Sequence, residues 1–177
     1  MDFKKLIPDF SAIGKTNWGK PNLDTKNPMW LVMAGAALLM VVFAFIPWET
    51  VTVTRGALSV TGSRLGITTW FGILGLLSAL LAVYGVLYNQ KQFAFCGALL
   101  AAVFAIIGCF TIVDVTKDGE TMTAEDIKAA TEGAGATVAS AVFGLKVSVG
   151  HIGAILSLIA SLVLAGASFL QIKKENE

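Results

Sequence analysis

Apolar and polar positions along this chain fall into long blocks. Four runs are free of Asp, Glu, Lys and Arg: Met29–Pro47, Gly66–Tyr88, Gln92–Val113 and Val147–Leu170. A helix needs about 20 apolar residues to cross the hydrocarbon core of a bilayer. Lipid offers no partner to an unpaired backbone group, so a spanning segment of this kind is expected to be helical. The pattern therefore predicts an all-α membrane protein, a four-transmembrane-helix bundle. Its parts are an N-terminal arm over 1–28, a transmembrane domain over 29–171 and a tail over 172–177. Asn89-Gln90-Lys91 is too short to do anything but fold the second and third helices into an antiparallel hairpin.

Between the runs the period changes. In the first connecting loop, 48–65, Val51 and Val53 alternate with Thr50, Thr52 and Thr54, and Leu58 and Val60 resume the alternation after Arg55-Gly56. This predicts a β-hairpin. The second loop, 114–146, holds Thr123 and Asp126 at capping-box spacing, Gly133 as a helix stop and an extended stretch over Thr137–Phe143. A small extracytoplasmic sheet drawing on both loops is expected.

Charge sets the orientation. Lys4, Lys5, Lys15, Lys20, Lys26, Lys91, Lys173 and Lys174 lie on one side. Arg55, Arg64, Lys117, Lys128 and Lys146 lie on the other, spread over longer loops. The positive-inside rule then places both termini in the cytoplasm, as in a bacterial inner-membrane protein. Trp30, Trp48, Trp70 and Tyr88 sit at run ends, where amphipathic rings prefer the headgroup level. The polar, Pro- and Gly-punctuated first 28 residues do not read as a cleaved leader, so the first run is expected to be a retained anchor. Within them Phe3, Leu6, Ile7, Phe10 and Ile13 share a helical face beside Lys4 and Lys5. That predicts an interfacial segment, kept short by Pro8, with docking to a protein as the alternative.

Composition agrees with this reading. The chain is 55% hydrophobic and 14% charged, with a net charge of +1 and a mean hydropathy of +0.75. A soluble domain carries about 25% charged residues. The balance gives no reason to expect a nucleic-acid partner.

Small residues repeat at four-residue spacing: Gly97, Ala101 and Ala105 in the third run, and Gly153, Ser157, Ser161 and Ala165 in the fourth. Such stripes let helix backbones approach closely, which drives association where lipid supplies no hydrophobic force. They are expected to pack within the monomer or against another subunit. The first and third runs also look related. Shifted by 61, Ala37–Val51 and Ala98–Ile112 agree at eight of 15 positions. A weaker match at a shift of 81 joins the second and fourth runs, through Gly72 and Gly153, Leu77 and Leu158, Ala79 and Ala160, and Gly85 and Gly166. Together these predict a repeated helix–outer strands–helix unit.

Candidate chemistry is sparse. Cys96 and Cys109, 13 residues apart on one helix, read as small apolar residues that cannot reach each other. Asp118, Glu120, Glu125 and Asp126 lack the spacing of a calcium loop. His151, at a run's outer end, reads as a loop-bonded residue. No catalytic set, cofactor motif or metal motif stands out. The expected function is that of a non-enzymatic integral membrane protein, a structural or accessory subunit that associates with itself or a membrane-protein partner. The alternative is a small oligomeric channel, with Ser157 and Ser161 as the only polar stripe.

Certain residues carry a family likeness: Phe45-Ile46-Pro47-Trp48, the Thr-rich hairpin, Gly66–Gly75, Phe143-Gly144-Leu145 and Gly150–Gly153. Over 29–170 the chain resembles small bacterial four-span membrane proteins. Its layout is also similar to that of claudins: four spans, both ends inside, and a first outer loop of hairpin type opened by a Trp. Claudins carry a Gly-Leu-Trp and paired-Cys signature there, and this loop has no Cys. The resemblance implies architecture and no functional residue.

Overall fold

The computed structural model describes residues 6–17, 19–55, 58–111, 115–117, 120–122 and 145–175. The short helix and extended stretch expected between Thr123 and Phe143 lie outside the described residues. So do residues 1–5 of the arm and the turn at Gly56 and Ala57.

The fold is mostly helical. A five-residue helix, α1 (Ser11–Lys15), lies in the arm. It is started by Asp9, whose carboxylate accepts from both the backbone N–H and the hydroxyl of Ser11, each at 2.9 Å. Helix α2 (Pro28–Phe43) begins where Asn27 Oδ1 accepts from the Met29 N–H and where Pro28 lacks a donor to satisfy. It ends before the expected boundary at Pro47. Proline disfavours a helical residue before it, and the freed carbonyls find other donors. The Trp48 indole donates to Phe43 O at 2.7 Å, Ile67 N–H to Ala44 O, and Gly66 N–H to Ile46 O.

The chain then forms β1 (Pro47–Arg55) and β2 (Leu58–Leu65), the expected antiparallel hairpin. A 3₁₀ turn at Gly66–Thr68 delays α3 (Trp70–Leu87), and Thr69 Oγ1 caps α3 by accepting from Gly72 N–H. Between α3 and α4 (Lys91–Phe110), Asn89 takes φ 56°. Gln90 N–H donates to Gly85 O and Asn89 N–H to Val86 O. That is a Schellman motif with Asn in the left-handed position. Strands β3 (Val115–Lys117) and β4 (Glu120–Met122) pair with each other, and β5 (Leu145–Gly150) leads into α5 (Ile152–Glu175).

The fourth apolar run is thus split. Its first residues pair with β1 as a strand, Val147 opposite Val53 and Val149 opposite Val51, and the helix starts only at Ile152. The three-stranded sheet has the order β2-β1-β5, all antiparallel.

Helices α2, α3, α4 and α5 each pack on the next, and α5 closes back on α2, with the sheet against one end of this ring. Three of them, α3, α4 and α5, are long and apolar enough to cross a membrane. With 16 residues, α2 is shorter. The interior is built from small or flexible side chains, among them Met33, Ala37, Met40, Ala82, Ala98, Ala101 and Leu164. Large aliphatic side chains point outward, such as Leu38, Leu77, Leu100 and Ile159.

Surroundings bear on the internal likeness. Ala37, Met40 and Ala44 are buried like Ala98, Ala101 and Ala105, and Leu38, Leu39 and Val42 are exposed like Leu99, Leu100 and Val103. The match between α3 and α5 extends to their surroundings only in part: Gly72 and Gly153 are both buried, as are Ala79 and Ala160. Gly85 is buried against Ala94 whereas Gly166 faces open space, and Ser78 is buried whereas Ile159 is exposed. Both helices pack on α2 and α4, α3 through its three-residue hairpin to α4 and α5 by closing the ring between them.

Candidate functional site

The most closely fitted part of the molecule is where the sheet meets the helices. β1 carries a bulge between Pro47 and Glu49, which leaves Trp48 as the extra residue. A bulge re-aims side chains, and here two neighbours on one strand, Trp48 and Glu49, are each only 1% exposed. The Trp48 ring lies on Phe71, centroids 5.9 Å apart and planes at 27°. Glycines surround the indole. A Cβ on Gly66, Gly108 or Gly153 would approach it within 2.6, 2.9 and 2.7 Å, and one on Gly75 within 3.2 Å. Each of these elements can reach the ring only because it carries no side chain at that point.

Polar groups frame the same spot. Glu49 stands opposite Arg64 of β2 in the sheet register, and His151 follows Gly150, the residue opposite Thr50. His151 is hydrogen-bonded to the backbone of Trp48, and its Nδ1 is buried without a hydrogen-bond partner. Thr69, buried nearby, donates from Oγ1 to Gly66 O at 2.8 Å. The arrangement ties three strands to the ends of α2, α3 and α5.

Of the four residues expected as interface anchors, three lie at the periphery. Trp70 is exposed beside Phe71, Trp30 donates from its indole to Val86 O at 3.3 Å, and Tyr88 lies against Tyr84. Trp48 differs, being sealed in the interior. Its sequence position resembles that of the others, but the bulge turns its ring inward. The seven small residues singled out for packing are all buried. Gly97 opens the way to the backbone of Ser78 and Ala82 on α3, and Gly153 to Pro47 O. Ala101 and Ala105 continue the α4 stripe, while Ser157, Ser161 and Ala165 lie along the inner face of α5. Ser161 Oγ is itself satisfied by Leu158 O.

Compared with known protein families, with curated proteins and with solved structures, the chain gives no match. The geometry therefore carries the reading alone. Cys96 and Cys109 are free thiols, and the Cys96 Sγ–H points to Leu6 O at 3.6 Å. Among the described residues, no group of three His, Cys, Asp or Glu is placed to hold a metal ion. Asp118, Glu125 and Asp126 lie outside the described residues.

At the opposite end of the bundle the arm folds back over α3 and α4. Thr16 Oγ1 and Tyr84 OH are 2.5 Å apart, Phe10 packs edge-on against Phe93, and Asn22 N–H donates to Leu87 O. Ile7 and Phe10 remain exposed. This end also holds a pocket that sequence reasoning missed, lined by Asn27, Met29, Lys91, Leu170, Gln171 and Lys174. Three separate segments contribute to it. The signal was present only as lysines at the ends of two apolar runs.

Proposed function

We propose that this chain is a four-span membrane protein acting as a structural or accessory subunit, with both termini in the cytoplasm and the sheet outside. The observation that carries it is the inversion of side-chain size across the bundle. Alanine, glycine and serine fill the interior, and leucine, isoleucine and valine face outward on every helix: Leu38 and Val42 on α2, Leu77 and Leu80 on α3, Leu100 and Val103 on α4, and Ile159 and Leu162 on α5. Monomeric soluble proteins rarely expose contiguous apolar patches of such extent, and close packing through small residues is how helices associate in lipid. Because α2 shares this inversion, it is read as the fourth span. Its 16 residues cover about 24 Å, and residues 44–46 continue to the sheet.

The interior of the ring is occupied by side chains, which favours a packing role over conduction through one monomer. The lysine distribution supports the orientation, the resemblance to small bacterial four-span proteins supports the bacterial inner membrane, and the claudin-like layout contributes architecture only.

Two measurements test this. In a Cys96→Ser, Cys109→Ser background, Lys20→Cys and Lys173→Cys are expected to react with an impermeant maleimide only after the inner membrane is opened, and Lys117→Cys before. Labelling of Lys20→Cys and Lys173→Cys from opposite sides would mean an odd number of spans. Mass measurement in mild detergent is expected to find a multimer or a co-purifying membrane protein, and a lone monomer would sink the subunit role.

A further inference from the structure

Two cavities on the same side of the bundle, read together, suggest a ligand. The first, about 450 Å³, opens at the ends of α2, α4 and α5 and is lined by the six residues named above. Its described charged groups are cations, and Asn27 and Gln171 add amides, which both donate and accept. Lys91 is the first residue of α4 and Lys174 lies in the last turn of α5. Each ammonium has three N–H donors, so one bond does not exhaust it. Asn27 spends its Oδ1 on the Met29 N–H, which leaves its NH₂ as a donor. The amino ends of α2 and α4 both lie here, and no side chain caps α4. Among the described residues, no carboxylate lines the pocket.

The second cavity is an apolar groove of about 380 Å³ between α2 and α5, walled by residues such as Leu31, Leu39, Leu156, Ile159 and Val163. Gly35, with nothing within 4 Å of where its Cβ would be, belongs to its lining. The two cavities follow one line. Leu156, Ile159, Val163 and Leu170 succeed each other at helical spacing on a single face of α5, the last of them lining the cationic pocket. From Leu156 to Leu170 the axis advances about 21 Å, more than the roughly 15 Å that one leaflet of a 30 Å core occupies.

A cationic cup set in line with an apolar groove matches the two ends of one molecule. We infer that the α2–α5 seam binds an anionic phospholipid, its phosphate held at Lys91 and Lys174 and one acyl chain lying in the groove. The site rests on the membrane reading above. Its test is carried out in detergent, where the result does not depend on orientation or on the number of spans.

The full chain, purified in detergent, is titrated with phosphatidylglycerol and phosphatidylcholine, and bound lipid is counted by native mass spectrometry. Two lysines at a membrane surface predict roughly 30-fold preference for the anionic lipid. Lys91→Gln with Lys174→Gln is expected to abolish the preference, whereas Lys15→Gln with Lys20→Gln keeps it. Gly35→Leu, which fills the groove, is expected to reduce retention of both lipids. Equal binding of the two lipids by the wild-type chain, or a preference that survives loss of Lys91 and Lys174, overturns the site. So does a thermal shift by millimolar inorganic phosphate without lipid preference, which would make the cup a solute site. A dimer lost in Gly35→Leu without any lipid adduct would assign the groove to a second copy and also overturn it. The lysine variants are at the surface, so they decide the matter even if Gly35→Leu does not fold.

Discussion

The two ends of this bundle are closed in different ways. At the sheet end, one indole is enclosed by four glycines, and at Gly66 and Gly153 a methyl group would also collide with the backbone of Ala44 and Pro47. At the opposite end, the arm is attached by scattered hydrogen bonds and edge-on rings and leaves a cavity beside it. Steric exclusion admits one arrangement. Hydrogen bonds from a short arm are each worth about 1 kcal/mol and can open singly. The sheet end should therefore behave as part of the global fold, and the arm end as a locally opening unit.

The strongest way to break this comparison is to remove the indole. Trp48→Ala is expected to cost about 3–5 kcal/mol, read as a lower unfolding midpoint in detergent by circular dichroism. Trp70→Ala, at an exposed ring, should change the midpoint little. Similar losses for both would mean that Trp48 is not the centre of the junction.

Glycine substitution sharpens the picture. Gly153→Ala places a Cβ 2.5 Å from Pro47 O, and overpacking of this kind costs about 1–3 kcal/mol. Gly166→Ala meets nothing within 4 Å and should stabilise α5 by about 0.5–1 kcal/mol through helix propensity. Thermal unfolding of the pair should give shifts of opposite sign.

At the arm end, Thr16→Val removes the bond to Tyr84. It is expected to cost about 0.5–1.5 kcal/mol, seen as faster proteolysis or amide exchange before residue 28 with an unchanged global midpoint. A fall in the midpoint would make the arm part of the core.

The smallest effect concerns acid. Hydrogen bonds from Ser11, first its hydroxyl and then its backbone N–H, hold the Asp9 carboxyl below its ordinary value. The folded pKa is depressed, so the contribution of the Asp9–Ser11 bonds is present above the ordinary carboxylate range, near 4, and fades as pH falls below it. Amide exchange at Ser11 should rise over that window in the wild type and not in Asp9→Asn.

The sequence exposed the bundle because a lack of charge over 20 residues is a local property. The hairpin was equally legible, since alternation in Val51 to Thr54 is local too. What was not legible depends on distant partners. Val147 and Val149 continue an apolar run and look like helix, and only their pairing with β1, about 100 residues earlier, makes them strand. Trp48 looks like an anchor by residue type and position. Its burial follows from a bulge and from glycines on four other segments, none adjacent to it in sequence. The cationic pocket was hidden for the same reason, being assembled from Asn27, Lys91 and Lys174.

The central place of β1 imposes an order on biosynthesis. This strand is flanked by β2, which follows it at once, and by β5, whose Gly150 lies opposite Thr50. Ribosomes add about 5–20 residues per second, so the second edge of β1 waits roughly 5–20 s for its mate. The arm waits too, because Thr16 meets Tyr84 and Leu6 meets Cys96, 68 and 90 positions later. Strand β1 is thus secured later than the arm that precedes it, and for those seconds the nascent chain presents an unpaired strand edge that a chaperone could shelter.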